Sequence, residues 1–151
     1  MFNIKILNKK AVKEILSLIK QQWDADLTLD YAFLKDKEDK IFIINKEFAE
    51  LDLTKLRINN MGMYFAQKMI DGLRLSIEGS QIIGPKAKKN ILELTEKQTK
   101  QWLRGEDLEI KTDIQDYVIL KYKNDFLGTG KIKQNKILNY IPKSRRLKTT
   151  I

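Results

Sequence analysis

Leu127-Gly128-Thr129-Gly130-Lys131 stands between Tyr117-Val118-Ile119-Leu120 and Leu138-Asn139-Tyr140-Ile141-Pro142-Lys143-Ser144-Arg145-Arg146-Leu147. The apolar runs around the glycine pair predict three strands, over Tyr117–Tyr122, Phe126–Ile132 and Lys136–Ile141, with Asn124-Asp125 and Gln134-Asn135 as the polar turns between them. The GxGK within the central run lacks the remaining glycine spacing and the Ser/Thr of a phosphate-binding loop. It is also flanked by strand on both sides rather than by strand and then helix. Two glycines inside a strand instead mark a bulge or a close approach, by a packed neighbour or by an RNA strand.

Working back from that stretch, Ile91-Leu92-Glu93-Leu94 predicts a strand. Thr95 caps a helix, with Gln98 as its capping-box partner. The helix runs through Trp102 and Leu103 and stops at Gly105. The second half is thus expected to be a mostly β barrel carrying one helix. Further upstream, Asn8 caps an amphipathic helix over 9–23, in which Val12, Ile15, Leu16, Ile19 and Trp23 share a face. Tyr31–Leu34 and Ile41–Asn45 predict a hairpin around a polar tip, Glu47–Leu53 a short helical turn, and Leu56–Asn59 another strand. Gly62 reads as a turn or close-packing site. Leu73, Leu75 and Ile77 alternate with Arg74, Ser76 and Glu78 as in a half-buried strand, and Glu78-Gly79-Ser80-Gln81 reads as a turn. Gly84-Pro85 is the strongest punctuation, so the fold class is α+β, with one unit over 1–87 and a second over 88–151.

Charge points to a partner. The chain carries a formal net charge of +9, and residues 121–151 hold +8 of it, with Asp125 their one acid. A polyanion suits so lopsided a field, and nucleic acid is the commonest. The alternative is a lysine-rich surface serving solubility, but that enrichment raises both signs everywhere.

The chain contains no histidine and no cysteine. The Ser-His-Asp and Cys-His arrangements, the tetrahedral zinc sites and the redox dithiols therefore drop out. The carboxylates are scattered among lysines, and Asp36, Glu38 and Asp39 cluster in a polar turn where solvation suffices. No catalytic residue, metal or cofactor is expected. Apolar runs reach only four residues, as in Ile41–Ile44, against the roughly 20 of a membrane helix, and no leader pattern opens the chain. The expectation is a cytoplasmic protein without a membrane partner.

Taken in order, Trp102-Leu103-Arg104-Gly105-Glu106-Asp107-Leu108, Tyr117–Leu120, Leu127–Lys131 and Leu138–Leu147 resemble the PUA domain, a compact RNA-binding pseudo-barrel. The variant is similar to the C-terminal domain of the RNA 5-methylcytosine methyltransferases, the nucleolar and bacterial Fmu-type family. Met61-Gly62-Met63-Tyr64-Phe65-Ala66-Gln67-Lys68 followed by Gly72–Ser76 resembles the pre-PUA domain of two-domain ribosome-biogenesis proteins, in an archaeal-type form. The sequence holds no methyltransferase domain or cysteine nucleophile, so the resemblance implies RNA binding and not methyl transfer. The implied partner is structured rRNA or tRNA during ribosome biogenesis or RNA modification, with a separate RNA methyltransferase or ribosomal proteins as further partners. A protein-interaction adaptor in such a complex is the alternative.

The resemblance places the RNA groove at the turn after the helix and on the late strands. Arg104 and Gly105 occupy that turn, where a glycine admits an RNA backbone. Lys131, Lys133 and Lys136 lie on or between the late strands, Lys131 and Lys133 on one face of a regular strand. Asn139 offers base-edge hydrogen bonds, and Tyr140 offers either stacking or core packing. Lys143, Arg145 and Arg146 clamp phosphates. Arg74 is expected to pair with a neighbouring acid rather than RNA. Lys148 and the connector residues Lys86, Lys88 and Lys89 are solvated surface or an extension of the patch.

Overall fold

The computed structural model describes residues 4–27, 30–46 and 62–148. The expected turn over Glu47–Leu53 and strand over Leu56–Asn59 lie outside these residues. Two five-stranded sheets and three α-helices make up the described chain, an α+β fold. The first sheet is an antiparallel meander of β1 (Lys5–Ile6), β2 (Tyr31–Lys35), β3 (Lys40–Asn45), β4 (Met63–Met69) and β5 (Gly72–Leu75) in sequence order. Helix α1 (Lys9–Trp23) packs on it. Its start follows from Asn8, whose side chain accepts the Ala11 N–H at 2.9 Å, and its buried stripe is Ile15, Ile19 and Trp23.

Two local expectations fail here. Met63–Met69 is a full strand, where the sequence suggested only a turn or close-packing site at Gly62. Ile77 does not extend the alternation of Leu73 and Leu75 but starts α2 (Ile77–Ile83). Ser76 makes the switch: its hydroxyl donates to the Tyr64 carbonyl at 2.7 Å and accepts the Gly79 N–H at 2.9 Å. One side chain thus ends the strand pairing and caps the helix.

A 3-10 turn at Gly84–Lys86 leads to the second sheet, ordered β6 (Ile91–Glu93), β8 (Asp116–Tyr122), β9 (Asp125–Lys133), β10 (Lys136–Leu138) and β7 (Leu108–Glu109). Only β6 and β8 pair in parallel. Helix α3 (Glu96–Leu103) begins with the complete capping box of Thr95 and Gln98. The basic connector is tied to the end of α1. Lys88 N–H donates to the Trp23 carbonyl at 2.8 Å, and the Asn90 amide donates to the Gln22 carbonyl at 2.5 Å, satisfying carbonyls the helix leaves open.

Strand β8 explains why the halves form one body. Tyr117 and Ile119 enter the core shared with α1, Phe33, Phe65 and Leu73. Val118 and Leu120 face a second core with Trp102, Leu108, Ile137 and Ile141. A strand buried on both faces needs an unbroken apolar run, which Tyr117–Leu120 supplies. Helix α2 adds a further tie across position 87: the buried Ser80 hydroxyl accepts the Gly128 N–H at 2.9 Å.

Candidate nucleic-acid interface

The turn after α3 and the segment 139–147 are laced together. Leu147 N–H donates to the Leu103 carbonyl at 2.8 Å. The Asn139 side-chain amide donates to the carbonyls of Trp102 at 2.8 Å and Glu106 at 2.9 Å, and its oxygen accepts the Ile141 N–H at 2.8 Å. The Asn139 backbone N–H donates to the Asp107 carboxylate at 2.8 Å. Asn139 is therefore committed to the fold and is not free to read a base edge. Both amide hydrogens are spent on backbone carbonyls, that of Trp102 in α3 and that of Glu106 in the turn after it.

Gly105 is likewise packed within the fold. It sits at φ +90°, as expected for a helix stop, but a Cβ there would overlap the stem and guanidinium of Arg146. Within the chain, the close approach at this turn is made by Arg146. Arg146 Nε in turn donates to the Ile141 carbonyl at 2.9 Å, so this guanidinium holds the 139–147 segment. Arg104 is half-buried and ion-paired with Glu106 at 2.8 Å. The glycine pair in β9 likewise meets packed neighbours, Gly130 lying against Ile137 and Trp102.

The remaining cations divide into tied and untied. Lys131 pairs with Asp71, from the turn between β4 and β5, and its ammonium lies 5.8 Å from the Tyr117 ring centroid. The Lys131 hydrogen bond, followed by one at 2.8 Å from the Tyr117 phenol, holds Asp71 below the usual carboxylate range. Burial, and then Asp71, pushes the Tyr117 phenol up. The Asp71 hydrogen bond raises Lys131. Arg145 pairs with Glu78 of α2, a second ion pair joining residues before and after the connector. Lys133, Lys136 and Lys143 are exposed, with no ion pair among the described residues. Lys133 and Lys136 are directly opposite one another on β9 and β10, and Glu109 on β7 is the next residue across. Lys131 and Lys133 lie on alternate positions of a regular stretch, as the spacing predicts.

Sequence reasoning missed a cleft of about 460 Å³, bounded by β4, β5 and α2 on one side and by β9 and the 140–145 segment on the other. Arg74 and Tyr140 line it, the guanidinium carbon 4.2 Å from the Tyr140 ring centroid. Arg74 also donates to the Gln67 side-chain oxygen at 2.8 Å. The expected acidic partner is replaced by a neutral amide and an aromatic face. Lys40, Tyr64 and Arg145 line the same cleft, as does Thr129, whose buried hydroxyl has no hydrogen-bond partner among the described residues. Nothing in local spacing pairs positions 74 and 140, so no sequence signal was available.

No helix among the described residues is long and apolar enough to cross a membrane, and none of their acidic side chains gather into a potential metal site.

Comparison with known proteins locates this architecture. Residues 89–147 match the family model of the methyltransferase RsmF PUA domain. The ribosomal RNA small subunit methyltransferase F of Vibrio parahaemolyticus is 26% identical over 144 residues, covering 90% of this chain and 29% of the enzyme. That of Vibrio cholerae is 28% identical over 112 residues, covering 74% and 23%. The enzyme of Shewanella oneidensis is 26% identical over 122 residues, covering 80% and 25%. The chain thus spans less than a third of these relatives, and the similarity includes both of its halves. The relatives are bacterial, which leaves the archaeal-type likeness without support. Residues 89–147 are thus similar to the PUA domain of RsmF-type methyltransferases.

Proposed function

We propose that this chain binds structured RNA, rRNA or tRNA, in the setting of RNA modification and ribosome biogenesis, without itself performing catalysis. The supporting observation is the PUA match together with three exposed lysines, Lys133, Lys136 and Lys143, that no acid among the described residues neutralises. A PUA-bearing relative that methylates small-subunit rRNA makes rRNA the first candidate. The working location is the cytoplasm, where such RNA is made and modified in bacteria. The chain enters its second sheet beyond residue 87, and units over 1–87 and 88–151 acting as one binding body fit the shared strand β8.

Phosphate contacts release counterions, so three of them give a slope of about −2 to −3 in log affinity against log salt. Filter binding of a small-subunit rRNA fragment across salt concentrations measures this slope. Replacing Lys133, Lys136 and Lys143 together by Ala should flatten the slope and leave the thermal midpoint in place. RNA affinity absent at low salt, or unchanged in the triple variant, refutes this assignment. Pull-down partners that survive nuclease treatment alongside such a result would favour the adaptor role.

A further inference from the structure

The geometry points to a nucleotide site in the cleft between the two halves, one that takes a single unpaired RNA base on the Arg74–Tyr140 stack. This inference rests on the RNA-binding reading and names the form of RNA bound. It concerns a different surface from the Arg104–Gly105 turn and from the Lys133–Lys136 face.

Three observations carry it. The cleft, about 460 Å³, falls within the roughly 300–1,000 Å³ of sites that enclose a small molecule. That volume suits one or two nucleotides and excludes a duplex. Arg74 lies over the Tyr140 ring at 4.2 Å, and Gln67 holds its guanidinium from the side, so the wall offers a flat and fixed surface. Bases lifted out of a helix are held by stacking on aromatic rings and guanidinium planes. The wall is also cationic: Lys40, Arg74 and Arg145 line it against one acid, Glu78, which is engaged with Arg145, while Lys40 pairs outside the wall with Glu38 at 3.6 Å. A phosphate entering beside the base competes with Glu78 for Arg145, whose planar fork can grip it through two hydrogen bonds.

A duplex presents its bases stacked and paired, and an A-form major groove is too deep and narrow for side chains to read. The cleft therefore distinguishes a loop or bulge from a stem, while the lysine face contacts the phosphates of either.

The test uses the full chain and two hairpin RNAs of equal length. In one, a fluorescent 2-aminopurine occupies an unpaired loop position; in the other it is paired within the stem. Protein is expected to change the emission of the loop probe and not that of the stem probe. Arg74→Lys keeps the charge but loses the plane, and Tyr140→Leu loses the ring. Each should weaken binding of the loop RNA by about 5- to 150-fold, the loss of one base stack, and leave stem affinity unchanged. Tyr140→Phe should bind as the parent does. If Tyr140→Leu fails to fold, Arg74→Lys decides. Loop binding unchanged in Arg74→Lys, with salt-sensitive RNA affinity intact, overturns the cleft site alone. Absence of affinity for both RNAs overturns the cleft site and the RNA reading together.

Discussion

Gly105 combines φ +90° with a position against the Arg146 side chain. A side chain there meets both the left-handed backbone penalty and a guanidinium pinned by the Ile141 carbonyl. Gly105→Ala is expected to lower stability by about 1–3 kcal/mol, read from the midpoint of urea unfolding with m unchanged. For the same reason Arg145 and Arg146 are not equivalent, although they are adjacent. Arg145 is exposed and bound to Glu78, whereas Arg146 is built into the end of α3. The sequence shows two arginines after a proline and predicts two phosphate clamps. Their partners lie up to 67 residues away in the chain, which no local pattern encodes.

Among the elements, α3 is the one most plainly written in the chain. Thr95 and Gln98 satisfy each other's backbone N–H groups at 3.1 and 2.9 Å, and Gly105 follows the last turn. Thr95→Ala is expected to cost about 1 kcal/mol, seen as a drop of a few degrees in the thermal midpoint. Because α3 supplies the Trp102 carbonyl that accepts from Asn139, the same variant should loosen the 139–147 segment, measurable as faster amide exchange at Ile141. Strand β4 and helix α2 were not legible. Met63–Met69 carries no strict alternation, and Ile77 continues a period-2 pattern that Ser76 interrupts only because the Tyr64 and Phe65 carbonyls are within its reach.

Across the whole molecule, Asp71, Tyr117 and Lys131 join the two halves and make that junction sensitive to pH. Asp71 is held below its ordinary range by Lys131 and then Tyr117, so its contribution is present above about pH 4 and is lost as pH falls through its depressed value. Tyr117 and Lys131 are shifted upward, so their contribution is complete below about pH 10 and is lost as pH rises beyond it. Asp71→Asn should cost about 1 kcal/mol at neutral pH, a figure kept small because the carboxylate is partly exposed to screening solvent. It should also flatten both limbs of a plot of unfolding free energy against pH. A variant whose limbs match the parent's would show that the triad does not couple the halves.

By itself the sequence determined what depends on near neighbours: the helix caps, the apolar faces, the strands around the glycine pair, and the exclusion of histidine and cysteine chemistry. It also carried the ordered motifs by which the second half resembles a PUA domain, because those motifs are local runs. Tertiary structure decided which cations are free and which are engaged. It paired Lys131 with Asp71 and Arg145 with Glu78, assigned Asn139 and Arg146 to the fold, and brought Arg74 onto Tyr140. Charge in a sequence is a sum, whereas charge at a surface is what remains after distant residues have met.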